Sequence, residues 1–212
     1  MLERLRRTFG EGNLPPSNPP PTKDRSDDRV PPGQFVASKL TVMTAGSTPR
    51  IDLAKWRLRL HGLVAKPVEL TWEQFSGLPV VDAPSDFHCV TQWSRLNAGW
   101  GGVPASALLD LCQPLPEAKY VMLHCYGGYT ANITLDDLRG EGVLFASRLD
   151  GGPLPVEHGG PMRLVVPHLY GWKSAKWLNS VEFKDKDEPG FWEVRGYHMR
   201  ADPWLEQRFW ND

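Results

Sequence analysis

The sequence predicts an α+β protein built on a dominant mixed sheet and contained in one domain. Three observations lead there. Short strand-like segments outnumber helical ones, and they do not follow the regular strand–helix–strand rhythm of a parallel α/β fold. The length, 212 residues with 41% hydrophobic side chains, suits one sizeable core.

Taken in order, residues 1–33 stand apart. Pro15, Pro16, Pro19, Pro20, Pro21, Pro31 and Pro32 are interleaved with Asn, Ser, Asp and Arg, a composition that cannot bury enough apolar surface to fold alone. We expect an arm lying on the body or on a partner subunit, ahead of one domain over 34–212. Residues 34–44 alternate weakly. Residues 56–62 alternate strictly, with Trp56, Leu58 and Leu60 on one side and Arg57, Arg59 and His61 on the other, the period-two signal of a half-buried strand. Thr71 with Gln74 three residues on predicts a short helix with a capping box, ended by Pro79. Pro104 opens a second short helix over 104–112, whose Cys112 is expected only to pack.

Residues 120–126 form a continuous apolar run, a buried strand turned by Gly127-Gly128. A short helix over 135–138 follows, then a strand over 143–149 that runs into the turn at Asp150-Gly151-Gly152. Strands are predicted over 162–167 and 177–183, and these two are expected to pair. The tail from Gly190 to Trp210 is too aromatic to stay in water, so it must pack on the body or on a second copy of the chain, and a homo-oligomer fits that pattern.

Composition excludes several classes of function. The formal charge is −1 with 23% charged residues, so no global basic field argues for nucleic acid or an anionic membrane. No run of about 18 apolar residues marks a membrane-spanning helix. Arg6-Arg7 is followed by prolines and not by the apolar segment of an export signal, and we read the chain as cytoplasmic. Cys89, Cys112 and Cys125 make no CxxC pair, which agrees with a reducing compartment and offers no zinc ribbon, iron–sulfur site or haem attachment. Nine tryptophans and twenty prolines suggest an aromatic-lined, loop-rich enzyme.

The chemistry gathers around Cys89. It lies in Asp86-Phe87-His88-Cys89-Val90-Thr91-Gln92-Trp93-Ser94, followed by Trp100-Gly101-Gly102-Val103-Pro104. A thiolate is a soft ligand and a strong nucleophile, here flanked by an imidazole, hydroxyls and an indole. Alone, such a cysteine is commonly an inert buried thiol. Two glycine- and cation-rich segments downstream argue for a site that holds an anion: His158-Gly159-Gly160-Pro161-Met162-Arg163 and Tyr170-Gly171-Trp172-Lys173-Ser174-Ala175-Lys176-Trp177.

In this order and spacing the four segments resemble the sulfite oxidase-like molybdopterin oxidoreductases, in their short single-domain bacterial form. The resemblance runs from about Pro31 to the end. It implies a sulfite oxidase-type molybdopterin-binding fold around one molybdenum–molybdopterin cofactor, with Cys89 as the sole protein thiolate on molybdenum and the remaining sulfurs from the pterin dithiolene. It implies cofactor contacts from His88, His124, His158 and Arg163, and a phosphate loop at Ser174-Ala175-Lys176. Met43 and Thr44 match by position only. Lys173 is read as a surface cation, His61 and His168 as structural, and His198 as part of the tail. Cys89 and Arg95 are the candidate catalytic residues, Arg95 being the only arginine close to the cysteine.

Departures from the family bear on the substrate. Relatives that oxidise sulfite carry a tyrosine just ahead of the turn, where this chain has Ser147-Arg148-Leu149, cluster arginines near the cysteine, and add a dimerisation domain for which this chain has no length. The expected reaction is therefore oxygen-atom transfer on another small oxo-compound, such as a sulfoxide or N-oxide, with electrons exchanged with a separate donor or acceptor. Two other readings stand beside it. One is a Cys–His hydrolase with Cys89 as nucleophile and His88, His124 or His158 as base; the other is a cofactor-free interaction module using the aromatic tail.

Overall fold

The computed structural model describes residues 28–212. Most of the proline-rich arm expected over 1–33 lies outside the described residues. Its last part is tied to the body through Arg29, which donates to Asp86 and Asn97.

The elements run β1 (Phe35–Val36), β2 (Arg57–Gly62), β3 (Val68–Thr71), α1 (Trp72–Ser76), β4 (Val81–Asp82), β5 (Ser85–His88), β6 (Trp93–Ala98), β7 (Trp100–Pro104), α2 (Ala105–Cys112), β8 (Tyr120–Cys125), β9 (Thr130–Thr134), α3 (Leu135–Leu138), β10 (Leu144–Leu149), β11 (Gly152–Pro153), β12 (Arg163–Val165) and β13 (Leu178–Lys184). Single 3₁₀ turns lie at Val156–His158 and Glu193–Arg195. Among the described residues the strands form three sheets, in the orders β3-β2-β13-β8-β9, β11-β10-β7-β4 with β12 also on β10, and β1-β6-β5. β13 runs parallel to β2 and antiparallel to β8, which makes the first sheet mixed. The α+β expectation holds.

Local sequence explains most of these elements. In β2 the alternation turns Leu58 and Leu60 into the core and leaves Arg57, Arg59 and His61 outward. Trp56, just ahead of it, is fully buried against Trp72 and Phe75 of α1, the first contact edge-to-face at 5.3 Å. α1 begins with the expected capping box, since Gln74 N donates to Thr71 Oγ1 and Thr71 N to Gln74 Oε1. It stops at Ser76 with Gly77 as its C-cap, earlier than Pro79 requires. Pro104 serves α2 as its N-cap, and Cys112 at the far end is buried in the core. β7 and β10 approach so closely at Gly102 that a Cβ there would lie 2.3 Å from Phe145 O.

One expectation fails. The segments over 162–167 and 177–183 do not pair: β12 pairs antiparallel with β10, and β13 inserts between β2 and β8. Both segments pattern as buried strands, but the connection between them is too long for a hairpin and is used otherwise. Gly171, Trp172 and Ser174 to Trp177 line a cavity.

The core divides into two apolar clusters, one under the first sheet and one built on Phe87, Trp93, Trp100, Tyr170, Trp172, Trp192 and Tyr197. The tail therefore packs on the body. Tyr170 N donates to Ala201 O at 2.8 Å, and Trp172 meets the Tyr197 ring edge-on at 5.1 Å.

A polar clasp fastens the tail to α3. Asp137 closes a second capping box with Thr134, accepts from His168 Nε2 at 3.0 Å and pairs with Arg200 at 3.2 Å. Burial by itself raises the Asp137 carboxyl, but the bonds from His168 and Thr134 and the charge of Arg200 outweigh it and hold it at about 2, below its ordinary 3.8. A carboxyl depressed in the folded state stabilises the fold above its unfolded pKa and loses that effect as pH falls towards the folded one. We predict that Asp137→Asn lowers unfolding free energy by about 2 kcal/mol near pH 6, with the gap narrowing from about pH 4 towards pH 2. Urea unfolding at a series of pH values checks this; a gap independent of pH contradicts it.

Candidate functional site

The second cluster encloses a cavity of about 290 Å³, and Cys89 lies in its wall. Cys89 follows β5 in the turn to β6, where Gln92 takes a left-handed conformation (φ 75°). Cys89 N donates to Trp93 O at 2.8 Å and Gln92 N to Cys89 O at 3.0 Å, and Gln34 Nε2 reaches the same carbonyl at 3.1 Å. Behind the turn, Ser94 Oγ donates to Gln34 Oε1 at 3.1 Å and lies 2.9 Å from His88 Nδ1. The one hydroxyl proton goes to Gln34, so Nδ1 of His88 carries its own. Burial drives His88 down to about 4, and it stands neutral.

Thr91 Oγ1 is 3.1 Å from Cys89 Sγ. Burial raises the thiol, and the bonds from Thr91 and the charge of Lys176 act the other way. No imidazole bonds to the sulfur among the described residues. His88 is engaged with Ser94 and His124 with Glu182 Oε2 at 2.9 Å, so the Cys–His dyad of a hydrolase is not formed.

The cationic side is built by Arg163 and Lys176. Arg163 is almost wholly buried, with its guanidinium 5.3 Å from the ring centroids of both Phe87 and Trp100. It donates through NH1 to His158 O at 3.0 Å, through NH2 to Ser174 O at 2.6 Å and through Nε to Leu164 O at 3.3 Å. Lys176 Nζ donates to Met43 O at 2.8 Å and Glu157 O at 2.7 Å. Burial first, and then the charge of Arg163, push the Lys176 ammonium down to about 7. Gly159 permits this convergence: a Cβ there would lie 3.0 Å from Arg163 Cβ and 3.1 Å from Lys176 Cβ.

Met43, Thr44, Cys89, His158, Arg163, Ser174, Ala175 and Lys176 all line the cavity. Three other candidates are not among its lining residues. His88 supports the turn from behind. His124 sits on β8 between Leu123 and Cys125, which face the core, so alternation turns it outward, where it stacks on His61 at 6.4 Å. Arg95 donates to Leu96 O and faces Asp150 across 3.8 Å. Arg95, on β6, is therefore engaged outside the cavity lining.

Residues the sequence did not single out complete the wall: Leu40, Thr41 and Ala45 to Ser47 around Met43 and Thr44, and the aromatics Tyr129, Trp192 and Tyr197. The only sequence signal for Trp192 and Tyr197 was the aromatic density of the tail. The cavity suits a flat polar group with an anionic end. Buried His158 Nδ1 and Trp93 Nε1, both on lining residues, have no protein partner, and the cations and the Ser174 loop supply charge and donors near them.

Lys173 is a further correction. It is fully buried, because its Nζ pairs with Glu193 Oε1 at 2.7 Å and donates to Asn132 O, Asn132 Oδ1 and Met199 O. Glu193 Oε1 also accepts from Trp172 Nε1 at 2.7 Å, which clamps the cavity wall to the tail. Removing one partner strands a buried charge. We predict that Lys173→Met costs about 3–5 kcal/mol of stability, and that Lys173→Met with Glu193→Leu recovers much of the loss. Urea unfolding decides it; a double variant as unstable as the sum of the singles contradicts it.

Known proteins resemble this chain. Residues 45–192 match the family described as the oxidoreductase molybdopterin binding domain. The chain is 46% identical over 191 residues to the "uncharacterized oxidoreductase YuiH" of Bacillus subtilis, covering 88% of this chain and 96% of that one. It is 31% identical to the "putative protein-methionine-sulfoxide reductase subunit YedZ1" of Azospira oryzae, over 70% of this chain and 56% of the relative. It is 28% identical to the "protein-methionine-sulfoxide reductase catalytic subunit MsrP" of Gluconobacter oxydans, over 74% of this chain and 57% of the relative. The chain thus spans nearly all of the first relative and just over half of the other two. In fold it resembles the sulfane dehydrogenase SoxCD of Paracoccus pantotrophus, with a TM-score of 0.62 and 24% identity over 72% of this chain and 43% of that one. The family match across 45–192 and the near full-length likeness to YuiH make this chain a molybdopterin-binding oxidoreductase of the sulfite oxidase-like family.

Proposed function

We propose that Cys89 is the protein's thiolate ligand to molybdenum and that the enzyme reduces a small neutral or zwitterionic oxo-compound, a sulfoxide or N-oxide, in preference to acting on sulfite. The observation that carries the reading is the placement of Cys89 Sγ in a cavity whose other wall residues include Lys176, Arg163 and His158. Bound molybdenum supplies two-electron redox chemistry there. Lys176 and the Ser174-Ala175 loop would hold the anionic end of the cofactor, and His158 and Trp93 would bond its polar edges.

The net reaction takes up two electrons and two protons, and it releases the reduced compound and water. The sequence has no haem attachment and no cysteine set for an iron–sulfur cluster, so a separate protein or small carrier delivers the electrons. Two relatives bear names as subunits of protein-methionine-sulfoxide reductases, which supports both the sulfoxide and the separate partner. The free, buried cysteines suit the cytoplasmic placement we propose.

Sulfite is disfavoured by where the cations go. Arg163 donates to three carbonyls, Lys176 would be given to the anionic end of the cofactor, Arg148 pairs with Asp82 at 2.8 Å and Arg95 faces Asp150. A dianion entering between Trp93, Tyr129 and Trp172 would lose its hydration without a dedicated partner.

Cys89→Ser is expected to abolish molybdenum-dependent turnover while leaving the thermal midpoint unchanged; full activity contradicts the assignment. With an artificial donor or acceptor, the loaded enzyme is expected to reduce sulfoxides and N-oxides and to oxidise sulfite poorly. Sulfite turnover with a KM in the micromolar range contradicts the substrate reading. Lys176→Met is expected to lower cofactor retention after dialysis by roughly one to two orders of magnitude, the worth of a charge-assisted bond; equal retention contradicts its role.

A further inference from the structure

We propose that Thr91 tunes the metal ligand: its hydroxyl, 3.1 Å from Cys89 Sγ, donates a hydrogen bond to the bound thiolate and raises the reduction potential of the centre. The inference rests on Cys89 being the ligand, as argued above. Thr91 lines the cavity and is buried, and its Oγ1 has no other partner among the described residues.

Geometry fixes the donor's direction. In the free protein either the thiol or the hydroxyl can donate. A metal-bound thiolate has no proton, so the contact then survives only with Thr91 as the donor. Sulfur and donor sit in one short turn whose Cys89 carbonyl is held by Gln92 N and Gln34 Nε2, and a β-branched side chain has few rotamers to escape into. A donor on a ligand sulfur draws charge out of the metal–sulfur bond. It thereby stabilises the electron-richer, reduced state. Burial keeps solvent from serving the sulfur in its place.

The same contact could serve only to shape the turn, so the test needs a readout that packing does not move. Wild type, Thr91→Val and Thr91→Ser, each brought to the same molybdenum content by metal analysis, are compared in potentiometric titrations followed through the Mo(V) EPR signal. We expect a lower midpoint potential in Thr91→Val and a return towards the wild-type value in Thr91→Ser. If Thr91→Val does not load, Thr91→Ala removes the same hydroxyl with less bulk; loss of metal from both, with retention in Thr91→Ser, also supports the bond. Equal potentials in wild type and loaded Thr91→Val, or equal shifts in the Val and Ser variants, overturn it. Those outcomes leave the ligand assignment standing. A wild-type protein that binds no molybdenum, or a Cys89→Ser variant with an unchanged EPR signal, overturns both.

Discussion

Burying a guanidinium is affordable only if its donors are met, and much of the site depends on how Arg163 meets that condition. Its partners are the carbonyls of Leu164, His158 and Ser174, which belong to β12, the 3₁₀ turn and the loop ahead of β13. One desolvated side chain therefore holds two loops at fixed distance from the strand, with the rings of Phe87 and Trp100, 6.0 Å from each other, both packed beside it. Because Phe87 precedes Cys89 by two residues, the same cation that orders the two loops also packs against the strand that leads into Cys89.

Lys173 repeats the device on the opposite side of the same loop. Its four acceptors come from β9 and the tail as well as from Glu193, so the segment 171–176 is fastened through Arg163 at one point and through Lys173 at another. Trp172 and Lys176, which flank these two points, line the cavity. Two lysines three residues apart thus do different work: Lys173 is neutralised by a carboxylate inside the body, whereas Lys176 meets two carbonyls and the Trp177 ring and, among the described residues, pairs with no carboxylate. A cation without a counter-charge is suited to receive an anionic ligand.

How much of this was legible in the sequence depends on the range of the interaction. The alternation of β2, the box at Thr71 and the turn at Gly127-Gly128 are local, and the structure has each of them. The cysteine turn and the cation loops were legible as motifs, because glycines and cations at fixed spacing mark an anion site. Lys173 was misread because nothing near it in sequence reveals Glu193 across the fold. His124 falls outside the cavity lining because its neighbours Leu123 and Cys125 take the core face of β8, a choice of face that the surrounding apolar residues do not mark in the sequence. Arg95 is near Cys89 along the chain, and its contacts with Leu96 O and Asp150 leave it outside the cavity wall. The aromatic wall from the tail depends on long-range packing that no spacing records.

The account stands on Cys89 as the sulfur that the protein contributes to the metal. Molybdenum-edge X-ray absorption of the loaded protein, compared with Cys89→Ser at equal molybdenum content, tests this most directly. The prediction is one fewer metal–sulfur contact in the variant, with the dithiolene sulfurs of the cofactor retained. The same number of sulfur ligands in both proteins would contradict it.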